Sequence, residues 1–185
     1  MEIRQPVHSE HARTLDTESL RRHFLVDRLF RPDEATLTYS QIDRIIVGGV
    51  MPVTGPVGFA PELGRQTGTD FFLQRRELGL INVGGPARAT VDGQVFEIGS
   101  REALYVGQGA KAVEFTSLDA ANDDAVDLAV GQRGLLGHEQ VLDQEVSAQP
   151  AGVEGSRLFA MDGLPDLHAF SWVRALALRQ RGEGL

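Results

Sequence analysis

The chain has no cysteine among its 185 residues, and it has only one tryptophan and two tyrosines. Without cysteine there is no disulfide framework, no thiolate chemistry and no cysteine-bound metal. No apolar run reaches the ~20 residues that a membrane-spanning helix needs, and residues 1–16 lack the apolar core of a secretory signal. These absences predict a cytoplasmic protein with no membrane partner.

Positive charge is also scarce, because 18 basic residues face 26 acidic ones and the formal net charge is −8. No basic stripe is present, so the sequence shows no sign of a nucleic-acid partner. The imbalance is uneven: residues 1–118 hold 13 basic and 15 acidic side chains, whereas residues 119–185 hold 5 and 11. This change in composition predicts a domain over 1–118 and a C-terminal tail over 119–185.

Histidines are few, and no two of the five are separated by a single residue. His8 and His11 lie on either side of Glu10 in the sequence, which suggests a weak metal pair, a solvated N-terminal segment, or contacts with a neighbouring subunit. His138 and His168 stand thirty residues apart. The sequence therefore predicts no complete metal site.

The first 118 residues carry the patterns of a mainly β domain. A short helix is predicted over 14–24 with Asp16 as its N-cap, followed by a strand over 25–30 and a turn at Pro32-Asp33. Residues 55–68, with two Pro and four Gly, are predicted to form a loop. The further predicted strands are 35–40, 44–53 with a bulge at Gly48-Gly49, one bent or two separate strands in 69–85, then 87–91, 94–98, 102–106 and 111–115.

The clearest local signal is a hairpin, in which ARATV and QVFEI flank Asp92-Gly93. Both turn residues tolerate the positive φ angles of a type I′ turn. Short strands at regular spacing with Gly turns indicate a sandwich or a small barrel. After Ser117 this order fades, and only residues 170–181 suggest a continuous element, a short helix.

The spacing from Glu77 through Gly84 and the hairpin to LYVGQG (104–109) resembles the pattern of the cupin double-stranded β-helix barrel. In that pattern two His separated by one residue, a Glu and a later His hold a divalent metal inside the barrel. Here the paired His positions fall among residues 70–73 and the late one near Ala112. Glu77 then either keeps a polar role in a sugar pocket or forms a salt bridge with Arg75 or Arg76.

Longer stretches carry a more specific resemblance. HSEHARTLDTESLRRHFLV (8–26), YSQIDRIIVGGVMP (39–52), FFLQRRELGLINVGG (71–85) and VDGQVFEIGSREALYVGQGAK (91–111) resemble the N-terminal cupin half of the 5-dehydro-4-deoxy-D-glucuronate isomerase family, also called 4-deoxy-L-threo-5-hexosulose-uronate ketol-isomerases. The resemblance implies a two-cupin chain that forms a homo-oligomer, hexameric in the family, and that interconverts 5-dehydro-4-deoxy-D-glucuronate and its 2,5-diketo isomer in pectin breakdown. It also implies zinc, held in a second cupin.

The resemblance ends near Leu118, and no zinc ligand of the family transfers to this chain. Residues 119–185 are interpreted as a truncated or out-of-frame tail, and the chain alone is expected to have little isomerase activity. Candidate substrate-binding residues are Arg75, Arg76, Glu77 and Tyr105, although surface ion pairs and core packing are the alternative roles. The competing functional prediction is a metal-free cupin module for assembly or for sugar-acid binding.

Overall fold

The structure is a computed structural model, and it describes residues 1–42, 44–118, 128–132, 149–150 and 157–160. Three helices are present in this part of the chain: α1 (Ser9–Ala12), α2 (Thr17–Phe24) and α3 (Glu62–Gln66). The strands of the same part are β1 (Glu2–Arg4), β2 (Ala35–Ser40), β3 (Ile45–Val50), β4 (Val57–Gly58), β5 (Leu78–Asn82), β6 (Ala87–Val91), β7 (Gln94–Ile98), β8 (Glu102–Val106), β9 (Val113–Ser117), β10 (Leu128–Gln132), β11 (Gln149–Pro150) and β12 (Arg157–Ala160). The predicted mainly β fold is confirmed.

The strands form two sheets. The larger has the order β1-β2-β3-β10-β5-β8-β12-β11, and the smaller has the order β4-β9-β6-β7. All pairings are antiparallel except that of β1 with β2. Because successive side chains of a pleated strand point to opposite sides, each sheet presents alternate residues of every strand to one face.

One hydrophobic core lies between the two sheets, and both contribute to it. From the larger sheet come Leu37, Ile46, Val50, Leu78, Leu80, Leu104 and Val106, and from the smaller come Val57, Ala87, Ala89, Val91, Phe96, Ile98, Val113 and Phe115. Within most strands these side chains recur at every second position, which is the period that a half-buried strand requires. The alternation of apolar residues in the sequence thus sets which face of each strand is buried.

The predicted hairpin is confirmed. Strands β6 and β7 pair from Ala87 with Ile98 to Val91 with Gln94, and Asp92 and Gly93 both have positive φ, at 47° and 87°. The Asp92 carboxylate also accepts hydrogen bonds from the backbone N–H groups of Lys111 and Ala112, at 2.9 and 2.8 Å. The turn therefore anchors the chain just before β9.

The helix predicted over 14–24 is confirmed as α2, which begins three residues later, at Thr17, and a second short helix, α1, precedes the predicted range. Asp16 caps α2 as predicted, and its side chain accepts a 2.7 Å hydrogen bond from the Ser19 N–H. The strand predicted over 25–30 is wrong, because these residues form no ladder with any described strand. Leu29 is buried instead, and its carbonyl accepts a hydrogen bond from the Thr36 hydroxyl.

The bulge predicted at Gly48-Gly49 is also wrong. Strand β3 pairs with β2 without interruption, from Ile45 opposite Ser40 to Val50 opposite Ala35. Gly49 serves a different purpose, because a Cβ atom there would lie 2.5 Å from the Leu29 carbonyl and 2.7 Å from the Phe30 ring. The glycine lets the 25–30 segment cross closely over β3.

Two further segments differ from their predictions. The loop predicted over 55–68 contains β4 and α3, and region 69–85 contains the single strand β5, preceded by turns. Strand β9 begins at Val113, two residues later than predicted, because Lys111 and Ala112 bind the Asp92 carboxylate.

Beyond residue 118, the structure describes three short strands, β10, β11 and β12, in the larger sheet. The domain boundary at 118 stays a prediction, and the helix predicted over 170–181 lies outside the described residues. Among the residues described, no helix has the length and apolar character that crossing a membrane requires.

Candidate functional site

The predicted substrate residues Arg75, Arg76 and Glu77 lie in the connection between α3 and β5. Arg75 is exposed, whereas Arg76 and Glu77 are half-buried. The Arg76 guanidinium lies 5.7 Å from the centre of the Tyr39 ring, within the range of a cation–π contact. Tyr39 itself packs against the core. Arg76 therefore lies beside the core, and the proposed ion pair of Glu77 with either arginine stays a prediction.

Tyr105 lies elsewhere. It is opposite Gly79 on β5 and Arg157 on β12, and it is half-buried. Its neighbours on β8, Leu104 and Val106, belong to the core. Since alternate residues of a strand face opposite sides, the Tyr105 side chain projects from the outer face of the larger sheet. The structure thus gives Tyr105 and Arg76 different surroundings.

The positions matched to the cupin metal ligands do not fit a metal. Phe72 and Leu73 are buried in the core, at 6% and 1% exposure. Asp70 is tied to Gln74, whose amide Nε2 donates to its carboxylate at 3.1 Å. Ala112 offers no ligand side chain. Phe72, Leu73 and Ala112 supply none of the imidazole donors that the cupin pattern places at these positions for zinc.

Aromatic side chains fill the space beside these positions. The Phe59 ring contacts the Phe72 ring at a centroid distance of 4.9 Å and the Phe115 ring at 5.7 Å. These distances are typical of favourable tilted and edge-on aromatic pairs. The interior at this point is therefore a packed hydrophobic cluster.

His8 and His11 were the other metal candidates. The His8 imidazole Nδ1 accepts a hydrogen bond from the Glu10 N–H at 3.3 Å and so caps α1. The side chains of His8 and Glu10 are 73% and 85% exposed. In the part of the chain that the structure describes, no three His, Asp or Glu side chains are grouped closely enough to hold a metal.

A polar cleft of about 340 Å³ lies between the N-terminal strand and the 26–34 segment. It is lined by Met1, Glu2, Arg4, Val26, Asp27, Arg28, Arg31, Glu34 and Ala35–Thr38. Sequence reasoning missed it, because two segments that are distant in the chain, residues 1–4 and 26–38, form it. Two of its arginines have acidic partners within the chain: Arg4 Nε lies 2.9 Å from Glu2, and Arg31 lies 3.6 Å from Glu34. The cleft is thus of mixed charge, and three acidic side chains face its three arginines.

Comparison with known proteins gives a specific match. No protein-family model matches the chain. A ketol-isomerase for 4-deoxy-L-threo-5-hexosulose-uronate from Pectobacterium carotovorum subsp. carotovorum is 59% identical over 121 residues, which are 65% of this chain and 44% of the relative. The protein of the same name from Yersinia pseudotuberculosis serotype O:1b is 57% identical over 122 residues, or 66% of this chain and 44% of the relative.

Solved structures match in part. A cupin domain of Schizosaccharomyces pombe Cnp3 is 13% identical with a TM-score of 0.40, over 55% of this chain and 64% of that one. A cupin protein from Bacteroides fragilis is 14% identical with a TM-score of 0.36, over 55% and 75%. The two sheets around a single core are the cupin-type architecture that the sequence predicted.

The chain spans less than half the length of the curated relatives that it matches. Identity of 57–59% over more than 120 residues confirms the resemblance that the quoted stretches indicated. Over about two thirds of its length, this chain is a homologue of the 4-deoxy-L-threo-5-hexosulose-uronate ketol-isomerases.

Proposed function

We propose that the described β domain is the scaffold half of a uronate ketol-isomerase and that the 185-residue chain, by itself, does not turn over 5-dehydro-4-deoxy-D-glucuronate. The observation that carries this proposal is the burial of Phe72 and Leu73 in the core, at the positions that match the paired metal ligands of a cupin. The identity to the named ketol-isomerases supplies the substrate class.

The chemistry explains why this matters. A ketol isomerisation moves a proton between adjacent carbons through an enediolate, so it needs a positioned base and a group that stabilises the developing oxyanion. In the resembled family zinc in a second cupin would supply that stabilisation. The described residues of this chain offer no ligand set for it. We therefore assign to this domain folding and assembly rather than proton transfer.

The test combines metal analysis with an isomerase assay on the purified chain, using the Pectobacterium relative as the positive control under identical conditions. We expect zinc far below one equivalent and no turnover above the rate without protein. Stoichiometric zinc together with turnover would overturn the proposal. Size-exclusion chromatography with light scattering, run on the same sample, measures whether the chain forms the homo-oligomer that the resemblance implies.

A second candidate function, binding of a sugar acid without conversion, rests on Arg76. A half-buried guanidinium beside an aromatic ring is suited to a carboxylate, which it can grip with two hydrogen bonds. Calorimetric titration with the uronate tests it, with Arg76→Gln compared against the exposed neighbour Arg75→Gln. Binding that Arg76→Gln weakens about tenfold and Arg75→Gln leaves unchanged supports the candidate. Equal behaviour of both variants, or no heat at millimolar uronate, rejects it.

A further inference from the structure

Strands β3 and β5 belong to the same sheet but do not pair with each other. Strand β10 lies between them and pairs antiparallel with both, so that Val130 is opposite Gly48 on one side and Leu80 on the other. Two strands that share one intervening strand are ~10 Å apart. Within the described chain, residues 1–118 thus leave a slot one strand wide in the larger sheet.

The slot has an apolar floor. Ile46 and Val50 on β3 and Leu78 and Leu80 on β5 are all 0% exposed and belong to the core. With the slot empty, these side chains would border an open seam, and the backbone groups of β3 and β5 that face it would lack partners. Unpaired strand edges over apolar side chains are a strong template for an extended peptide.

The strand that fills the slot comes from beyond the predicted domain boundary at 118. Strand β9 ends at Ser117 in the smaller sheet, and β10 begins at Leu128 in the larger one. The quoted resemblance to the ketol-isomerases ends near Leu118. Strands β3 and β5, which border the slot, therefore lie in the predicted domain over 1–118, whereas β10, which fills the slot, lies in the predicted tail over 119–185.

We propose that the slot between β3 and β5 is a strand-acceptor site, a peptide-binding site whose occupant is the extended segment 128–132. Recognition is by main-chain hydrogen bonds on both sides, with Leu128 to Gln132 in register with Val50 to Ile46. Such a site selects an extended five-residue segment without proline, because each N–H of a central strand is used by a neighbour. The inference is independent of isomerase activity.

The experiment disrupts β10 in the full-length chain by substitution and adds a separate peptide that carries the β10 sequence. In the full-length chain, Val130→Pro removes one backbone N–H from the centre of β10 and disfavours a central strand. Val130→Thr keeps both the N–H and the β-branched shape, so it is the matched control. The probe is a fluorescein-labelled peptide of residues 126–134, and its anisotropy is measured against each protein. The same peptide with proline at position 130 is the negative probe.

We expect the peptide to bind the Val130→Pro chain at least about tenfold more tightly than the wild-type or Val130→Thr chains. An attached strand has an effective concentration on the order of millimolar, so micromolar peptide cannot displace it. The proline-containing peptide should bind none of the three proteins. Equal binding to all three chains, or binding of both peptides alike, would overturn the proposal.

If Val130→Pro does not fold, the same peptide is added during refolding, and thermal unfolding is followed by circular dichroism. Restoration of a cooperative transition by the 126–134 peptide, and not by its proline version, supports the strand-acceptor site. If the variant folds, failure of the peptide to bind it rejects the strand-acceptor site. If the variant does not fold, failure of the peptide to restore a cooperative transition rejects the site.

Discussion

At the scale of single residues, Asn82 is the most deeply buried polar side chain of the described domain, at 0% exposure. Its Nδ2 group lies 2.7, 3.0 and 3.1 Å from the carbonyls of Gly85, Ile98 and Gly99, which share its two hydrogens, and its Oδ1 atom accepts from the Gly84 N–H at 3.0 Å. One side chain thus ties the end of β5 to the end of β7, across the two sheets.

Asn82→Ala should lower the free energy of unfolding by about 2–3 kcal/mol, because it leaves buried backbone groups without partners. Chemical denaturation in urea measures the loss. The exposed Gln108→Ala is the control and should stay within ~0.5 kcal/mol of wild type. If Asn82→Ala lowers the free energy of unfolding by no more than the control does, then water supplies the hydrogen bonds that the Asn82 amide makes in the wild type.

Asp33 illustrates a residue whose ionisation is coupled to a turn. Its carboxylate accepts hydrogen bonds from the Thr54 hydroxyl at 2.7 Å and from the N–H groups of Thr54 and Val53, each at 2.8 Å. These bonds, led by that of the Thr54 hydroxyl, lower the pKa of Asp33 from 3.8 to about 2. Asp33 also has a φ of 57°, which aspartate tolerates better than most residues do.

The lowered pKa makes stability depend on pH in a defined window. Because the folded state prefers the carboxylate, the contribution of Asp33 is complete above its ordinary pKa of 3.8 and is lost as pH falls towards 2. The difference in melting temperature between wild type and Asp33→Asn should therefore be largest above about pH 5 and should shrink towards about pH 2. Thr54→Val should raise the pKa of Asp33 measured by NMR titration. A titration near its ordinary value of 3.8 in the wild type would contradict this assignment.

At the scale of elements, the β6–β7 hairpin combines a turn with an anchor. Gly93 has a φ of 87°, and a Cβ atom added there would have nothing within 4 Å, so strain rather than collision opposes a side chain. Gly93→Ala should cost about 1–2 kcal/mol of unfolding free energy, measured by denaturation. Asp92→Asn is the control with the milder effect, because asparagine also tolerates positive φ and can accept hydrogen bonds. A Gly93→Ala chain as stable as wild type would exclude the type I′ turn.

The crossing of the 25–30 segment over β3 gives a second prediction for an element. A Cβ atom at Gly49 would meet the Leu29 carbonyl and the Phe30 ring at 2.5 and 2.7 Å, whereas a Cβ atom at Gly55 would have nothing within 4 Å. Gly49→Ala should therefore destabilise the chain by about 1–3 kcal/mol through overpacking, and Gly55→Ala should not. Thermal unfolding of the two variants side by side measures the difference. Equal melting temperatures would place the 25–30 segment away from β3.

At the scale of the whole molecule, the described strands enclose one hydrophobic core, and the described residues include no group of three side chains that could hold a metal. A metal that binds only the folded state would raise the melting temperature, and its removal would lower it. We therefore expect removal of divalent ions with EDTA to leave the melting temperature unchanged within about 1 °C, and added zinc not to raise the melting temperature. Differential scanning calorimetry measures both. A fall of several degrees on chelation would reveal a metal that the described residues do not account for.

The sequence predicted local features best where a few adjacent residues decide them. The hairpin at Asp92-Gly93, the Asp16 cap and strands β2 and β8 follow from turn chemistry, capping and alternation. The prediction from sequence was wrong at residues 25–30, where alternation of apolar and polar residues suggested a strand but no described strand pairs with the segment. Pairing depends on distant residues, so local pattern cannot decide it.

For the candidate site, the sequence named Arg75, Arg76, Glu77 and Tyr105 without their surroundings. The cation–π partner of Arg76, Tyr39, lies far away in the chain, and the outward direction of Tyr105 depends on its register with β5. The mixed-charge cleft near Arg4 was missed for the same reason, since it is built from distant segments.

By itself, the sequence determined the mainly β character, the lack of histidine at the cupin histidine positions and the homology with uronate ketol-isomerases, because each depends on residue identity along the chain. Only the tertiary structure decided that Phe72 and Leu73 lie in the core and that β10 lies between β3 and β5. Both are set by contacts between residues remote in sequence, and such contacts form only when the sheets close around a common core.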